Sequence, residues 1–179
     1  EFVDSEEAMI RRFREHMINY SPDIIIGYYS DGFDLPYIKT RADKYRIRLD
    51  ISMDHSEMKV STKGKREAAI PGLVHLDILG FIRRVIGRTM DTDVFTLDAV
   101  SEELLGERKM VVDLDSLSKH WDEASKELAM YAKYNLHDAR LTYDLAAKVL
   151  PNLLELVRIS GLLPFDASRS SVTQLIEGY

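Results

Sequence analysis

The fold is decided by residues 20–38, Tyr-Ser-Pro-Asp-Ile-Ile-Ile-Gly-Tyr-Tyr-Ser-Asp-Gly-Phe-Asp-Leu-Pro-Tyr-Ile. The apolar run at 24–26 does not alternate with polar residues, which predicts a strand covered on both faces of a sheet. A polar turn follows at 30–32, and a helix is predicted over 34–45. Asp34 lies where the strand gives way to the helix, so its carboxylate can face a site while its neighbours stay packed.

The flanking segments predict an α/β protein. Residues 6–20 carry apolar side chains at helical spacing, and Asp4 is the predicted N-cap of this amphipathic helix. Residues 46–72 contain two alternating runs and Gly and Pro turns, which predict an inserted β-hairpin rich in Lys and Arg. Residues 73–77, Leu-Val-His-Leu-Asp, predict a second central strand, with His75 as a core residue and Asp77 as a support for the site.

Only helices are predicted after residue 77. One covers 78–86, one lies between Thr96 and Gly106, and a long one starts at 125 and is kinked or restarted by Pro151. Trp121 is predicted to be a core residue. This order of elements predicts helices packed on a sheet, followed by a helical C-terminal half.

Bulk properties narrow the class of protein. The 179 residues, 45% of them hydrophobic, fit one globular domain, and the net charge of −6 is unusual for a free-standing duplex-DNA binder. The chain has no cysteine, no apolar stretch of membrane-spanning length and no signal peptide, so we expect a cytoplasmic, intracellular location without membrane contact. It begins Glu-Phe-Val rather than with Met, and we expect it to be part of a longer polypeptide.

Two carboxylates are candidates for chemistry. Asp34 is one, although an Asp before a helix often only caps it. Asp138 is the other; it lies in mid-helix one turn after Tyr134, although a solvated helix face is an equally good explanation. Carboxylates from distant segments can hold Mg²⁺ or Mn²⁺, and two such ions can assist phosphodiester displacement. Tyr134 could orient the attacking water.

Several stretches resemble one known family. Tyr-Ser-Asp-Gly-Phe-Asp at 29–34 is similar to the second exonuclease motif of family B DNA polymerases, and Tyr-Asn-Leu-His-Asp at 134–138 is similar to the third. Further similarity to the archaeal branch occurs in the same order along the chain, at residues 4–13, 74–77, 82–84, 95–100 and 166–171.

The resemblance implies a ribonuclease H-like 3′–5′ proofreading exonuclease fold. It implies that an intact domain binds two ions of Mg²⁺ or Mn²⁺ with Asp34 and Asp138 among the ligands, and that the 179 residues alone bind them weakly or not at all. It also implies positioning of water by Tyr134 and DNA contacts by Phe33 and Tyr37. Arg169 is a candidate for contacting DNA or for holding the next domain. The implied partners are a single-stranded 3′ primer end and, through the remainder of a polymerase, deoxynucleotides and a sliding clamp.

Two departures from the family matter. Its first motif, an Asp-x-Glu on the opening strand, is expected upstream of Glu1, so we predict that the 179 residues alone do not hydrolyse DNA. Tyr29 stands where the family usually has an Asn that contacts the nucleic-acid end. The resemblance therefore places Tyr29 beside DNA and predicts weakened proofreading.

The predicted organisation is an exonuclease domain over 1–160 and the start of a connection to the polymerase palm over 161–179. One alternative is a stand-alone nuclease of the same fold. The other is a non-catalytic module that keeps the fold as a scaffold or a nucleic-acid-binding surface.

Overall fold

The computed structural model describes residues 3–61, 67–110, 112–113, 116–122 and 126–177. Within these ranges the helices are Glu6–Tyr20 (α1), Asp34–Lys44 (α2), Ile78–Phe81 (α3), Leu97–Leu105 (α4), Leu117–Asp122 (α5), Leu128–Ser160 (α6), Pro164–Ala167 (α7) and Val172–Glu177 (α8). The strands are Ile24–Gly27 (β1), Lys59–Ser61 (β2), Glu67–Ala69 (β3) and Val74–Asp77 (β4).

The two predicted central strands pair with each other. β1 and β4 are parallel, with Ile24 opposite Val74 and Gly27 opposite Asp77. Their carboxyl ends therefore meet at one edge of the sheet, where β1 leads into the turn before α2 and β4 leads into α3. β2 and β3 form a separate antiparallel hairpin. The α/β class is confirmed, with few strands in the described part of the chain.

The first helix begins one residue later than predicted. Ser5, not Asp4, is the N-cap of α1, because the Ser5 side chain accepts a hydrogen bond from the Ala8 amide at 3.1 Å. The helix ends at Ser21, whose φ of 46° is in the left-handed region. The two carboxylates that follow the cap form ion pairs. Glu7 pairs with Arg11 on its own helix, and Glu6 pairs with Arg41 on α2.

The inserted segment at 46–72 has fewer residues in strands than predicted. Residues 46–49 are not a strand, although Ile47 and Leu49 are buried and Arg48 between them is exposed. An extended backbone produces this alternation even without a partner strand, because successive side chains point to opposite sides. The hairpin proper is β2 and β3, and the predicted turn at 63–65 lies outside the described residues.

The helical half follows the prediction closely, with two corrections. Thr96 caps α4, Gly106 ends it with a φ of 74°, and α3 continues through a π turn to Ile86. α6 runs through Pro151 without being divided and ends at Gly161. Trp121 is not a core residue, since 65% of it is exposed.

Two apolar clusters flank the parallel pair. One joins α3, α4 and α6 to β4, and its most buried members include Phe81, Ile82, Val100 and Leu145. The other joins α1 and α2 to the inserted segment and includes Ile10, Ala42, Leu49, Met58 and Ala68. Among the described residues, no helix combines the length and apolar character that a membrane crossing requires.

Candidate metal and nucleic-acid site

Asp77 holds the turn that follows β1. It is the last residue of β4, is 6% exposed, and accepts hydrogen bonds from the amides of Tyr29 and Asp31, each at 3.0 Å. It also accepts one from Leu79, which caps α3. A carboxylate that accepts several amide hydrogen bonds fixes the backbone around it. Asp77 therefore fixes the backbone of the turn, and its predicted support of a catalytic site stays a prediction.

Tyr29 has an unusual backbone for a tyrosine. Its φ is 67°, in the left-handed region that favours Gly and Asn. Gly32 lies directly against the Tyr29 ring, and a Cβ added there would be 2.2 Å from a ring atom. The turn therefore combines one strained residue with one position where a side chain would require the exposed Tyr29 ring to move.

Asp34 is the first residue of α2. The N-cap is Phe33, and no side chain caps this helix, so Asp34 is not the cap that the alternative explanation required. Its carboxylate reaches solvent, yet neighbouring protein atoms remove part of its hydration and raise its pKa above the ordinary value, with a smaller contribution from the charge of Asp77. A carboxylate in this setting is stabilised when a cation approaches it.

The predicted aromatic contacts form an exposed group beside Asp34. Phe33 and Tyr37 stack with ring centroids 5.7 Å apart and an interplanar angle of 16°. Phe33 is 59% exposed, and Tyr29 and Tyr37 are each 53% exposed. Exposed aromatic faces are the surfaces on which unpaired bases stack.

Tyr134 and Asp138 share a partner that was not predicted. The Lys109 ammonium lies 2.6 Å from an Asp138 oxygen and 2.9 Å from the Tyr134 hydroxyl, above the Tyr134 ring. Burial alone would lower the pKa of Lys109, but its hydrogen bonds to Asp138 and Tyr134 outweigh burial and raise it. The ammonium is therefore firmly charged where it meets the Asp138 carboxylate.

The structure does not unite the two predicted metal ligands. In the part of the chain that it describes, Asp34 and Asp138 share no hydrogen-bond or ion-pair partner, and no three His, Asp or Glu side chains lie close enough together to hold a metal ion. Asp138 Oδ1 is nevertheless buried without a hydrogen-bond partner among the described residues. A buried carboxylate oxygen with open lone pairs fits a hard divalent cation.

Arg169 was predicted to contact DNA or to hold the next domain. The residue is only 5% exposed and forms an ion pair with Asp31 at 2.9 Å, which does not fit a DNA contact, while the second alternative stays a prediction. Its guanidinium group also donates to the His75 carbonyl oxygen and lies 3.7 Å from the centre of the Phe165 ring. The core prediction for His75 is confirmed, since the side chain is fully buried and hydrogen-bonded at both ring nitrogens.

Sequence reasoning missed Lys109 and Asp31. Lys109 lies in an irregular segment after Gly106, 25 residues before Tyr134, and no local pattern marks it. Asp31 lies in the turn at 30–32. Because turns favour Asp, its presence there did not indicate any further role. Only the packing of distant segments assigns these residues their partners.

The chain resembles known proteins along its whole length. Residues 1–100 match the family model for the exonuclease domain of DNA polymerase family B. The DNA polymerase of Pyrococcus glycovorans is 39% identical over 180 residues, and that of Pyrococcus horikoshii is 38% identical over 180 residues. Each alignment covers 100% of this chain but only 23% and 14%, respectively, of the relative.

A solved structure gives the same assignment. The family B DNA polymerase from the hyperthermophilic archaeon Pyrobaculum calidifontis superposes with a TM-score of 0.84 at 26% identity, over 99% of this chain and 23% of that one. The turn that carries Phe33 and Asp34 lies inside the stretch that the family model matches. The chain therefore belongs to the exonuclease-domain family of the family B DNA polymerases.

Proposed function

We propose that this chain forms the 3′–5′ proofreading exonuclease domain of a DNA-directed DNA polymerase, with a ribonuclease H-like fold. The observation that carries the proposal is the position of Asp34 beside two exposed, stacked aromatic rings. Such an arrangement places a metal-binding carboxylate next to a surface on which an unpaired base can stack.

The substrate class follows from this surface. Phe33 and Tyr37 offer a sequence-tolerant stacking platform, because every base has an aromatic face. Tyr29 adds a third exposed ring at the same turn. A base that is still paired in a duplex keeps its faces covered, so the platform selects an unpaired end, and we assign it to the single-stranded 3′ end of a primer.

The residues present fit Mg²⁺ or Mn²⁺. Asp34 and Asp138 would hold the cation, supported by the raised pKa of Asp34 and by the unpartnered Oδ1 of Asp138 within the described chain. When bound, a divalent ion stabilises negative charge on a phosphodiester under attack. Tyr134 would orient water through its hydroxyl group, which now accepts a hydrogen bond from Lys109.

Lys109 occupies one oxygen of Asp138 and neutralises its charge. A cation that binds this carboxylate has to compete with the ammonium group. Together with the absence of a three-ligand cluster among the described residues, this leads us to propose that the 179 residues alone do not degrade DNA.

The wider assignments rest on the relatives, of which the chain spans 23% or less in the examples above. We assign residues 1–160 to the exonuclease domain and 161–179 to the connection to a polymerase palm. Deoxynucleotides and a sliding clamp would be partners of the polymerase, in the cytoplasm where its DNA lies.

A second function is favoured by one observation. Lys109 already pairs with Asp138, a carboxylate that catalysis would need for metal binding. Such pairing is expected of a non-catalytic module that binds nucleic acid through its exposed rings.

An exchange of segments separates the two functions. The corresponding segment of the Pyrobaculum calidifontis polymerase is replaced by this chain, and shortening of labelled single-stranded DNA is followed with Mn²⁺, with primer extension as the test of folding. We expect shortening that Asp34→Asn and Asp138→Asn each abolish. Asp144→Asn, which removes a partly exposed carboxylate of α6 paired with Arg140, is the matched control.

Two results would contradict the proposal. A polymerase that extends primers but does not shorten DNA would favour the non-catalytic module. Shortening that survives both Asp34→Asn and Asp138→Asn would remove these residues from the site. Clear degradation by the 179-residue chain alone would contradict only the proposal that it is inactive.

A further inference from the structure

A buried polar network lies beneath the turn that carries Asp34. It consists of Ser30, Asp31, His75 and Arg169, and their side chains are each buried within the described chain. These residues come from the turn after β1, from β4 and from the segment after α7. The network therefore ties the C-terminal segment to the turn across 138 residues of sequence between Asp31 and Arg169.

Asp31 is the centre of the network. Its Oδ1 accepts hydrogen bonds from the Ala68 amide at 2.8 Å and from Arg169 Nη2 at 3.0 Å. Its own amide donates to Asp77 at 3.0 Å. The turn is therefore held at its side chain by the hairpin and by Arg169, and at its backbone by β4.

Arg169 is fixed on several sides at once. Nη1 donates to the carbonyl oxygens of His75 and Phe165, each at 3.0 Å, and the guanidinium group stacks on the Phe165 ring. A planar group with several donors can satisfy such a geometry, whereas the ammonium of a lysine cannot.

His75 does not share the positive charge. Burial holds its pKa below the ordinary value, and the charge of Arg169 acts in the same direction, although the Ala68 carbonyl and Asp31 oppose it. Ser30 Oγ lies 2.8 Å from Nε2, and the Ala68 carbonyl oxygen lies 2.8 Å from Nδ1. Asp31 is thus the residue that balances the charge of Arg169, and the neighbouring His75 and Ser30 are neutral hydrogen-bonding groups.

We propose that Arg169 is a positioning residue, which acts through Asp31 to fix the turn that presents Phe33 and Asp34. The segment after α7 and the site are then one mechanical unit. When the segment moves away, the turn loses its charged anchor and the aromatic platform loses its fixed place. The link to DNA binding rests on the proposed function, whereas the link between Arg169 and the turn does not.

The test compares two arginines that hold the same segment. Arg169 contacts Asp31, while Arg84 donates to the Ser168 carbonyl oxygen, at 2.8 Å, and has no contact with Asp31 among the hydrogen bonds of the described residues. Arg169→Met, Arg169→Lys and Arg84→Met are prepared in the 179-residue protein. Amide hydrogen exchange is measured at Asp31 and Ala68, with buried amides of α6 as the reference for global opening, and the ring signals of Phe33 and Tyr37 are followed by NMR.

We expect Arg169→Met to accelerate exchange at Asp31 and Ala68 relative to α6 by roughly tenfold or more, since loss of one partner of a buried ion pair is costly. The ring signals of Phe33 and Tyr37 should shift with it. Arg169→Lys should restore exchange only in part, and Arg84→Met should leave the turn unchanged. If Arg169→Met does not fold, Asp31→Asn, which keeps an acceptor for Ala68 but loses the charge, is judged by the same criteria.

The proposal is overturned if Arg169→Met accelerates α6 as much as the turn, or if Arg84→Met has the same effect on the turn. Binding of single-stranded oligothymidylate is measured in parallel. If the unaltered protein does not bind it, the proposed function fails, while the exchange comparison still decides the role of Arg169.

Discussion

Tyr29 shows at the level of a single residue how the turn before α2 departs from ordinary preferences. Its φ of 67° disfavours residues with a Cβ, and Asn and Gly tolerate it best. An Asn, which the family resemblance leads us to expect at this position, would meet both a backbone and a side-chain requirement. Tyr29 keeps the backbone conformation, because Asp77 holds its amide, and replaces the amide side chain by an exposed ring.

Exchange of Tyr29 should reveal this strain. We expect Tyr29→Gly to be more stable than Tyr29→Ala by about 1 kcal/mol, with Tyr29→Asn between them, because all three lose the ring but differ in tolerance of positive φ. Urea unfolding gives the free energies. The controls are Tyr37→Gly and Tyr37→Ala. Tyr37 lies inside α2, where Gly costs about 1 kcal/mol relative to Ala, so Tyr37→Ala should be the more stable of the two. The same order at both positions would contradict the strain.

The contact between Lys109 and Asp138 predicts how Mn²⁺ affects the stability of a Lys109 variant. Lys109→Met leaves the Asp138 carboxylate without its cation, and we expect a loss of about 1–3 kcal/mol in the free energy of unfolding. Mn²⁺ should stabilise this variant more than the unaltered protein, because the ion no longer competes with the ammonium. Thermal unfolding with and without Mn²⁺ checks both expectations.

Arg108→Met is the matched control for Lys109. Arg108 pairs with Glu102 at the surface, so its loss should change stability by about 0.5 kcal/mol or less. An equal response of both variants to Mn²⁺ would contradict competition between Lys109 and a metal ion.

Motif spacing is enough to predict Asp34, Tyr134 and Asp138 as site residues, and their roles stay a prediction. It could not find Lys109, because an irregular segment brings it to Tyr134 and no periodicity encodes that approach. The burial of Arg169 was not predicted for a similar reason. A Ser-Arg-Ser-Ser stretch is typical of a solvated turn, and it is the packing of distant segments that supplies the Phe165 ring, Asp31 and the His75 carbonyl oxygen as its partners.

At the level of elements, α1 and α2 are joined by one carboxylate. Glu6 accepts hydrogen bonds from Arg41 and, at 2.7 Å, from the Tyr45 hydroxyl. These bonds, that from Arg41 first, lower the pKa of Glu6 from 4.5 to about 2. The first turn of α1 thereby contacts the last turn of α2 and the residue that follows it.

This pKa predicts the effect of acid. A carboxyl group whose pKa is lower in the folded state stabilises the fold fully above its unfolded value. The contribution of Glu6 should therefore be lost as the pH falls from about 4.5 towards 2. In Glu6→Gln we expect lower stability at pH 7 and a flatter dependence on pH in this interval, measured by urea unfolding at several pH values.

The control is Glu7→Gln, which removes a carboxylate from the same turn; within the described chain, Glu7 pairs with Arg11 on its own helix. It should keep the steep dependence on pH between 4.5 and 2 that Glu6 produces. If Glu6→Gln and Glu7→Gln have identical pH profiles, the link between α1 and α2 is not the source of the acid sensitivity.

Element boundaries were predictable where a cap specifies them. Thr96 and Gly106 bound α4 as expected, because a side-chain acceptor and a left-handed glycine are local devices. The alternating run at 46–49 is not one of the two hairpin strands, since alternation records burial and not pairing. Ile47, Leu49 and Ile51 are buried along an extended segment that is assigned to no strand in the part of the chain that the structure describes.

At the level of the whole molecule, two apolar clusters lie on opposite sides of the β1–β4 pair and should unfold together. Leu145 and Leu49 are each fully buried, one in each cluster. We expect Leu145→Ala and Leu49→Ala each to cost about 2–5 kcal/mol and to keep a single transition. Circular dichroism and tyrosine fluorescence follow the unfolding.

Leu136→Ala is the control, because Leu136 is 71% exposed on α6 and its loss should change stability by about 0.5 kcal/mol or less. Two separate transitions in Leu49→Ala would show that the cluster around α1 and α2 is an independent unit.

The central claim is that Asp34 and Asp138 serve one divalent cation. Its most direct test is a Mn²⁺ titration of the 179-residue protein, followed by paramagnetic broadening of amide NMR signals. We expect the earliest broadening around both Asp34 and Asp138, and we expect Asp34→Asn or Asp138→Asn to diminish it at both places. Broadening centred on the exposed loop with Asp91 and Asp93, or loss confined to the substituted segment, would contradict a shared metal site.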